Sequence, residues 1–175
     1  SIQFRLIHMK KLLKITLILL LGLIFQSCYT LSGSSIDPSW QTIRIPTFPN
    51  YASYQNPNLS QQFTDELQDI FNNRTNLSLT NDDDADLLIE GEITNYQQSS
   101  VAIQANEIAG QNRLTVTVRV RYQNNKDETK SFDRSFSGYE DFDANLTLQQ
   151  AEDALLESIL EQITTEIFNA IAMDW

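Results

Sequence analysis

The chain has one cysteine, one histidine, five glycines and four prolines in 175 residues, and each shortage removes a class of chemistry. Cys28 is alone, so it has no internal disulfide partner. The five glycines never cluster, which leaves no phosphate-cradling loop. Basic residues are scarce as well: twelve Lys and Arg stand against 23 Asp and Glu, a formal charge of −11. Nucleic acid is therefore excluded as a partner, because binding its backbone needs a basic surface.

No long apolar run is present either. The longest, Ile15 to Phe25, is about half the roughly 20 residues a transmembrane helix needs. It follows Lys10, Lys11 and Lys14 and stops just before Ser27-Cys28. A basic start, an apolar stretch, then a small residue before cysteine is the pattern of a bacterial lipoprotein signal peptide. The reading is residues 1–27 as signal peptide, with Met9 as the true start, and Cys28 as the lipidated N-terminus of the mature chain. Residues 28–38, with Ser32-Gly33-Ser34-Ser35, read as a tether, and 39–175 as a single domain of ordinary size.

Cleavage before Cys28 removes Arg5, Lys10, Lys11, Lys14 and His8, and no acid. Eight basic residues then face 23 acidic ones, a formal charge of −15 over 148 residues. Without imidazole or a free thiol, neither a Ser-His-Asp site nor a Cys-His site can be built, and zinc loses its usual ligands. Asp82, Asp84 and Asp86 alternate like the start of a calcium loop. That loop, however, would carry Leu87 where glycine is needed and Ile93 where glutamate is needed. They read as a solvated acidic turn, and no metal or cofactor is expected. An enzyme would need two carboxylates about 5 to 9 Å apart in a cleft, and no constellation in the sequence points to one.

Hydrophobic periodicity orders the domain. Trp40 to Thr47 reads as a first strand that ends at Pro46 and Pro49. Phe48, Tyr51 and Tyr54 come next in a loop, as a cover over the core edge rather than a stacking site. Leu59, Phe63, Leu67, Ile70 and Phe71 recur at helical spacing, with Asn58 and Gln61 placed for a capping box. Leu87, Ile89, Gly91 and Ile93 alternate with Glu90, Glu92 and Thr94. Leu114, Val116, Val118, Val120 and Tyr122 alternate with Arg113, Thr115, Thr117, Arg119 and Arg121. A turn from Asn124 leads to a fourth strand, Thr129 to Tyr139, closing a hairpin. A last helix starts at Thr147, capped with Gln150, along the stripe Leu148, Ala151, Leu155, Ile159, Ile163, Ile167 and Ile171. The expected fold is α+β: a two-layer sandwich with two helices packed on one face of a mixed sheet of about four strands, in β-α-β-β-β-α order.

In order along the chain, the leader, "SCYTLSG", "NPNLSQQFTDELQDIF", "ADLLIEGEITNY", "VAIQANEIAGQNRLTVTVRVRY", "SFSGYEDF" and the acidic closing helix resemble the LptE family of lipopolysaccharide-assembly lipoproteins. No single motif carries the likeness; the ordered set does. It implies a non-enzymatic outer-membrane lipoprotein on the periplasmic side, sitting inside an LptD-like β-barrel, helping it assemble and contacting lipopolysaccharide. The other reading is a generic periplasmic binding lipoprotein, such as an auxiliary subunit of a lipid-trafficking transporter.

Six of the eight mature basic residues, Arg113, Arg119, Arg121, Lys126, Lys130 and Arg134, fall in the one hairpin. They are the candidate contacts for lipopolysaccharide phosphates and carboxylates, Arg119 and Arg121 first, since guanidinium binds such oxyanions through two parallel hydrogen bonds. The competing reading pairs those two arginines across strands with Glu90 and Glu92. Arg134 falls on the same face as Phe132 and Phe136, where an unpaired charge is costly. Either a bulge turns it outward or its stem lies over the aromatics with its head in water, and the second is preferred. The segment around Tyr139, Glu140, Asp141, Phe142 and Asp143 reads as a capped loop or a barrel contact.

Overall fold

The structure is a computed structural model that describes residues 36–54, 56–101 and 110–173. The expected signal peptide, Cys28 and the tether up to residue 35 lie outside the described residues. Strand β1 (Thr42–Arg44) leads to helix α1 (Leu59–Arg74), then to strands β2 (Ser78–Leu79), β3 (Leu87–Val101), β4 (Gln111–Asn124) and β5 (Phe132–Asp143). Helix α2 (Leu148–Ala172) closes the chain. The sheet order is β2-β1-β3-β4-β5; β1 runs parallel to both its neighbours and the other pairs are antiparallel. This is the expected α+β sandwich with five strands instead of about four. The extra one, β2, is two exposed residues long, too short to leave a period in the sequence.

The inner sheet face is the apolar half of each alternation. Ile43, Leu87, Ile89, Ile93, Leu114, Val116, Val118 and Val120 are all fully buried. Against them α1 places Leu59, Phe63, Leu67 and Phe71, and α2 places Ile159, Ile163 and Ile167 in one continuous core. Each such side chain taken out of water contributes about 1.5 to 3 kcal/mol, which is why both helices share the same sheet face and leave the other bare. Ile36 also packs against the core, so the domain begins within the stretch read as tether.

Details at the ends of elements differ from the sequence reading. The Asn58 side chain makes no cap bond, and Gln61 turns instead to Asp65 at 2.6 Å. The Asn56 side chain takes the Asn58 N–H in its place, at 2.9 Å. At α2 the capping box is present, with Gln150 Oε1 accepting from the Thr147 N–H at 2.9 Å. A 3-10 turn over Glu128–Lys130 occupies the expected start of the fourth strand. That strand instead runs from Phe132 to Asp143, so Tyr139 to Asp143 is strand, not loop. Phe142 is buried, and Glu140 Oε2 accepts from Ser158 Oγ on α2 at 2.8 Å.

A β-bulge decides the far half of β3. Ile93 pairs with Val118 and Asn95 with Thr117, leaving Thr94 as an extra residue. Past it the inward parity switches, so Tyr96 faces the core where unbroken alternation would turn it outward. On the other side of Ile93, its N–H donates to the Pro49 carbonyl and its carbonyl accepts from the Tyr51 N–H, both at 2.9 Å.

The N-terminal strand is held by one carboxylate. Asp86 Oδ2 accepts from the N–H groups of Gln41 (2.7 Å) and Thr42 (3.2 Å), and Oδ1 meets Lys126 Nζ at 3.0 Å. The Gln41 N–H and the Lys126 contact, with a lesser part from the Thr42 N–H, outweigh the opposing effect of burial and hold its carboxyl below the usual range. Its unfolded carboxyl titrates near pH 3.9. Because the folded pKa is the lower one, the stability that Asp86 supplies is complete above that pH and is lost as pH falls through the folded value. Asp86→Asn should cost about 1 to 3 kcal/mol at pH 7. It should also make the acid unfolding curve shallower below about pH 4, read by circular dichroism against the parent chain. Identical acid curves would remove Asp86 from this role.

Candidate functional site

The bare sheet face carries the candidate arginines. Strand alternation sends Arg113, Arg119 and Arg121 outward from β4, and the neighbouring strands β3 and β5 set carboxylates beside them. Arg113 binds Asp141 through two bonds, Nε to Oδ1 at 2.7 Å and Nη2 to Oδ2 at 2.9 Å. Arg119 does the same with Asp133, at 2.9 and 2.7 Å. Arg121 reaches Glu90 at 3.1 Å. The cross-strand alternative thus holds for Arg121 and Glu90, while Arg119 chooses Asp133 over Glu92.

The paired geometry shifts both partners. Hydrogen bonding to Asp141 and to Asp133 raises the pKa values of Arg113 and Arg119, and the same bonds hold the two aspartates below the usual carboxylate range. Arg113 also lies over the exposed Tyr139 ring, 3.9 Å from its centre. Between these rows Thr117 and Ser137 share a hydroxyl hydrogen bond of 2.8 Å. The face is a ladder of opposite charges and hydroxyls, not a block of positive charge.

The remaining candidates sit at the β4–β5 turn and on β5. Lys126 is bound to Asp86, and Lys130 Nζ lies 5.5 Å from the centre of the Trp40 ring. The turn itself hangs on Asn124, which is fully buried. Its Oδ1 accepts from the N–H groups of Lys126 and Asp127, at 2.9 and 2.8 Å, and its Nδ2 donates to the Tyr122 hydroxyl at 3.3 Å. Burial pushes the Tyr122 phenol up to about 12, so it stays a neutral acceptor. Arg134 is exposed, with its guanidinium 4.3 Å from the centre of the Phe132 ring and 5.5 Å from that of Phe136. It sits over the aromatics as the preferred reading had it, and the β4–β5 register runs past it without a bulge.

Two depressions open next to these groups. One, of about 60 Å³, is lined by Gly91, Glu92, Arg119 and Arg121. A second, of about 320 Å³, runs past Glu90, Arg121, Phe132 and Asp133 at the same end of the sheet. Arg121 borders both. The structure therefore brings Arg119 and Arg121 to one region, leaves Arg113 toward the other end of β4, and puts Arg134 on the other sheet face, in register with inward Val120. Lys126 is committed to a structural carboxylate, and Cys28 lies outside the described residues. Sequence reasoning missed Asp86 and Glu152 as organising carboxylates. Asp86 looked like part of an acidic turn.

The fold and this surface define a two-layer α+β domain that covers one sheet face and presents the other. Among the described residues no helix is long and apolar enough to cross a membrane, which says nothing of β-barrels. The family model LptE, lipopolysaccharide-assembly, matches residues 40–171. The chain belongs to the LptE family. Among curated proteins no relative matches. Solved structures with a TM-score above 0.5 show the same fold at low identity. A hemagglutinin homolog from Helicobacter pylori is 10% identical with TM-score 0.56, covering 78% of this chain and 84% of its own. A hypothetical protein from Chlamydia trachomatis is 9% identical with TM-score 0.53, covering 78% and 100%. A minor lipoprotein from Acinetobacter baumannii is 16% identical with TM-score 0.47, covering 74% and 91%.

Proposed function

We propose that the protein is a lipid-anchored outer-membrane lipoprotein of lipopolysaccharide transport, acting from the periplasmic side as plug and assembly partner of an LptD-like β-barrel and contacting lipopolysaccharide. The observation that carries the reading is the family match across residues 40–171, which takes in every strand described and both helices but for the last residue, Ala172. The leader pattern supports the anchor, with Cys28 as the acylated residue. A single acyl chain holds a protein to a membrane only marginally, at roughly 10⁴ M⁻¹, so permanent attachment calls for multiple acylation. Tyr29 and Thr30 place no acidic retention signal after Cys28. The role is one of binding, not catalysis.

Physical chemistry supports the lipopolysaccharide contact at the Arg119–Arg121 end of the sheet. Exposed ion pairs contribute little net stability, so Arg119 can leave Asp133, and Arg121 can leave Glu90, for a phosphate. Arg134 also belongs to the candidate set, but it lies over Phe132 on the other sheet face. Arg113, Lys126 and Lys130 complete the candidate set, further along the same hairpin.

Pull-down of the mature protein from detergent-solubilised outer membrane, with mass spectrometry of the captured proteins, tests the partnership. An LptD-like barrel is the expected catch, and its absence beside an abundant different partner overturns the reading in favour of a generic binding lipoprotein. For the ligand, Arg119→Glu combined with Arg121→Glu should weaken lipopolysaccharide binding about tenfold or more. The far-ultraviolet spectrum should stay unchanged, and equal affinity in the double variant would end the assignment of these two arginines.

A further inference from the structure

The loop after β1 holds a feature that the charge ladder does not use. Phe48 is fully buried, as a cover over the core should be, but Tyr51 and Tyr54 are 67% and 53% exposed. Tyr54 is nonetheless held in place. One face of its ring lies on Tyr96, with centres 5.1 Å apart and planes 23° from parallel. Tyr96 is buried, turned inward by the Thr94 bulge, and its hydroxyl donates to Glu152 Oε1. Burial first, and that carboxylate second, raise the pKa of the Tyr96 phenol, which keeps it a donor at every working pH.

Both ends of the loop are fixed to the same scaffold. The Tyr51 N–H is bound to the Ile93 carbonyl, and Asn56 Nδ2 donates to Glu152 Oε1 at 2.9 Å while Asn56 Oδ1 takes the Asn58 N–H. Two donors thus converge on one oxygen of Glu152. Both hydrogen bonds to that partly buried carboxylate fall on Oε1. In the same loop, Asn50 Nδ2 is a buried donor with no partner. The result is a flat aromatic face with its back supported and a carboxylate beside its support.

We propose that Tyr54, backed by Tyr96 and flanked by Glu152, is a saccharide-binding platform, taking the C–H face of a pyranose on the open side of the Tyr54 ring and a ring hydroxyl on Glu152. A sugar ring has the matching chemistry: one apolar face with hydroxyl donors at its rim. An aromatic side chain with a polar neighbour suits a ligand that is apolar on one side and wet on the other. The site deepens the lipopolysaccharide reading and rests on it for the natural ligand, the core oligosaccharide. Its recognition is neutral, whereas that of the arginine region is ionic.

The test is a heteronuclear NMR titration of the full chain in detergent micelles, with two probes: lipid-free core oligosaccharide and a neutral maltooligosaccharide. Saturable shifts at Tyr54, Tyr96 and Glu152 with the core oligosaccharide are expected. Tyr54→Ala should weaken its binding about tenfold, and Tyr54→Phe should keep it within about twofold. Glu152→Gln is a second variant that leaves the ring in place, and it should also weaken binding. Absence of saturable shifts with either sugar overturns the platform, as does equal affinity in Tyr54→Ala, or Tyr54 dependence seen only with phospholipid vesicles. If the platform fails while intact lipopolysaccharide still binds through the arginines, the wider reading stands. If the sugar binds through Tyr54 while no barrel and no intact lipopolysaccharide is captured, the platform stands and the wider reading falls.

Discussion

Gly91→Ala is expected to destabilise the domain by about 3 kcal/mol, the upper end of the usual cost of forcing a methyl group into filled space. A Cβ built at Gly91 would lie 1.9 Å from the Arg119 carbonyl oxygen and 2.8 Å from Cε1 of Phe48. Neither neighbour can yield cheaply. The carbonyl belongs to the central β4 strand, paired on both sides, and Phe48 is fully buried. No positive φ is involved, so the requirement is space alone. Thermal unfolding of the variant against the parent chain measures the effect. The same change at Gly138, where a Cβ would meet the Ile159 carbonyl at 2.9 Å, should cost less, because that strand lies at the sheet edge. Equal stability of Gly91→Ala and the parent would show that the β3–β4 register differs from the one described.

Phe63→Ala should cost about 3 to 5 kcal/mol. Phe63 is fully buried on α1 and meets Phe48 edge to face, with ring centres 5.0 Å apart. Removing the ring opens a cavity where α1, the loop after β1 and the sheet converge. A domain of this size has about 5 to 15 kcal/mol in all, so the variant should unfold at a clearly lower urea concentration. Because α1 would loosen together with the Phe48 loop, its amide hydrogens should exchange faster than those of β4. A midpoint shift below about 1 kcal/mol in equivalent stability would contradict the packing.

The candidate site was legible in part. The sequence placed six cations in one hairpin, and two of them, Arg119 and Arg121, do come together at the shallow depressions, while Arg134 lies over Phe132 on the other sheet face. Their partners were less visible. Arg119 stands opposite Glu92 on β3 and Ser135 on β5, and only the side-chain geometry between strands selects Asp133, which the register sets opposite Arg121. Asp86 could not be told from its neighbours Asp82 and Asp84, because its partners Gln41 and Thr42 lie more than 40 positions away. Tyr54 read as part of a core cover, since nothing local announces that Tyr96 will support it.

What the sequence by itself determined is everything written in a repeating local period. Both helices, the inward sets of β3 and β4, the hairpin and the helical cap at Thr147 arise from alternation or from a 3.6-residue stripe, because burying apolar area dominates and its pattern repeats along the chain. The acidic balance and the single histidine are likewise properties of composition. Tertiary structure alone decided what depends on a single residue or a distant partner. It set the Thr94 bulge that turns Tyr96 inward, seated the two-residue strand β2 beside β1, left Gly91 no room for a side chain, and chose which carboxylate each arginine meets. These contacts join segments far apart in sequence, and a single pairing leaves no period to read.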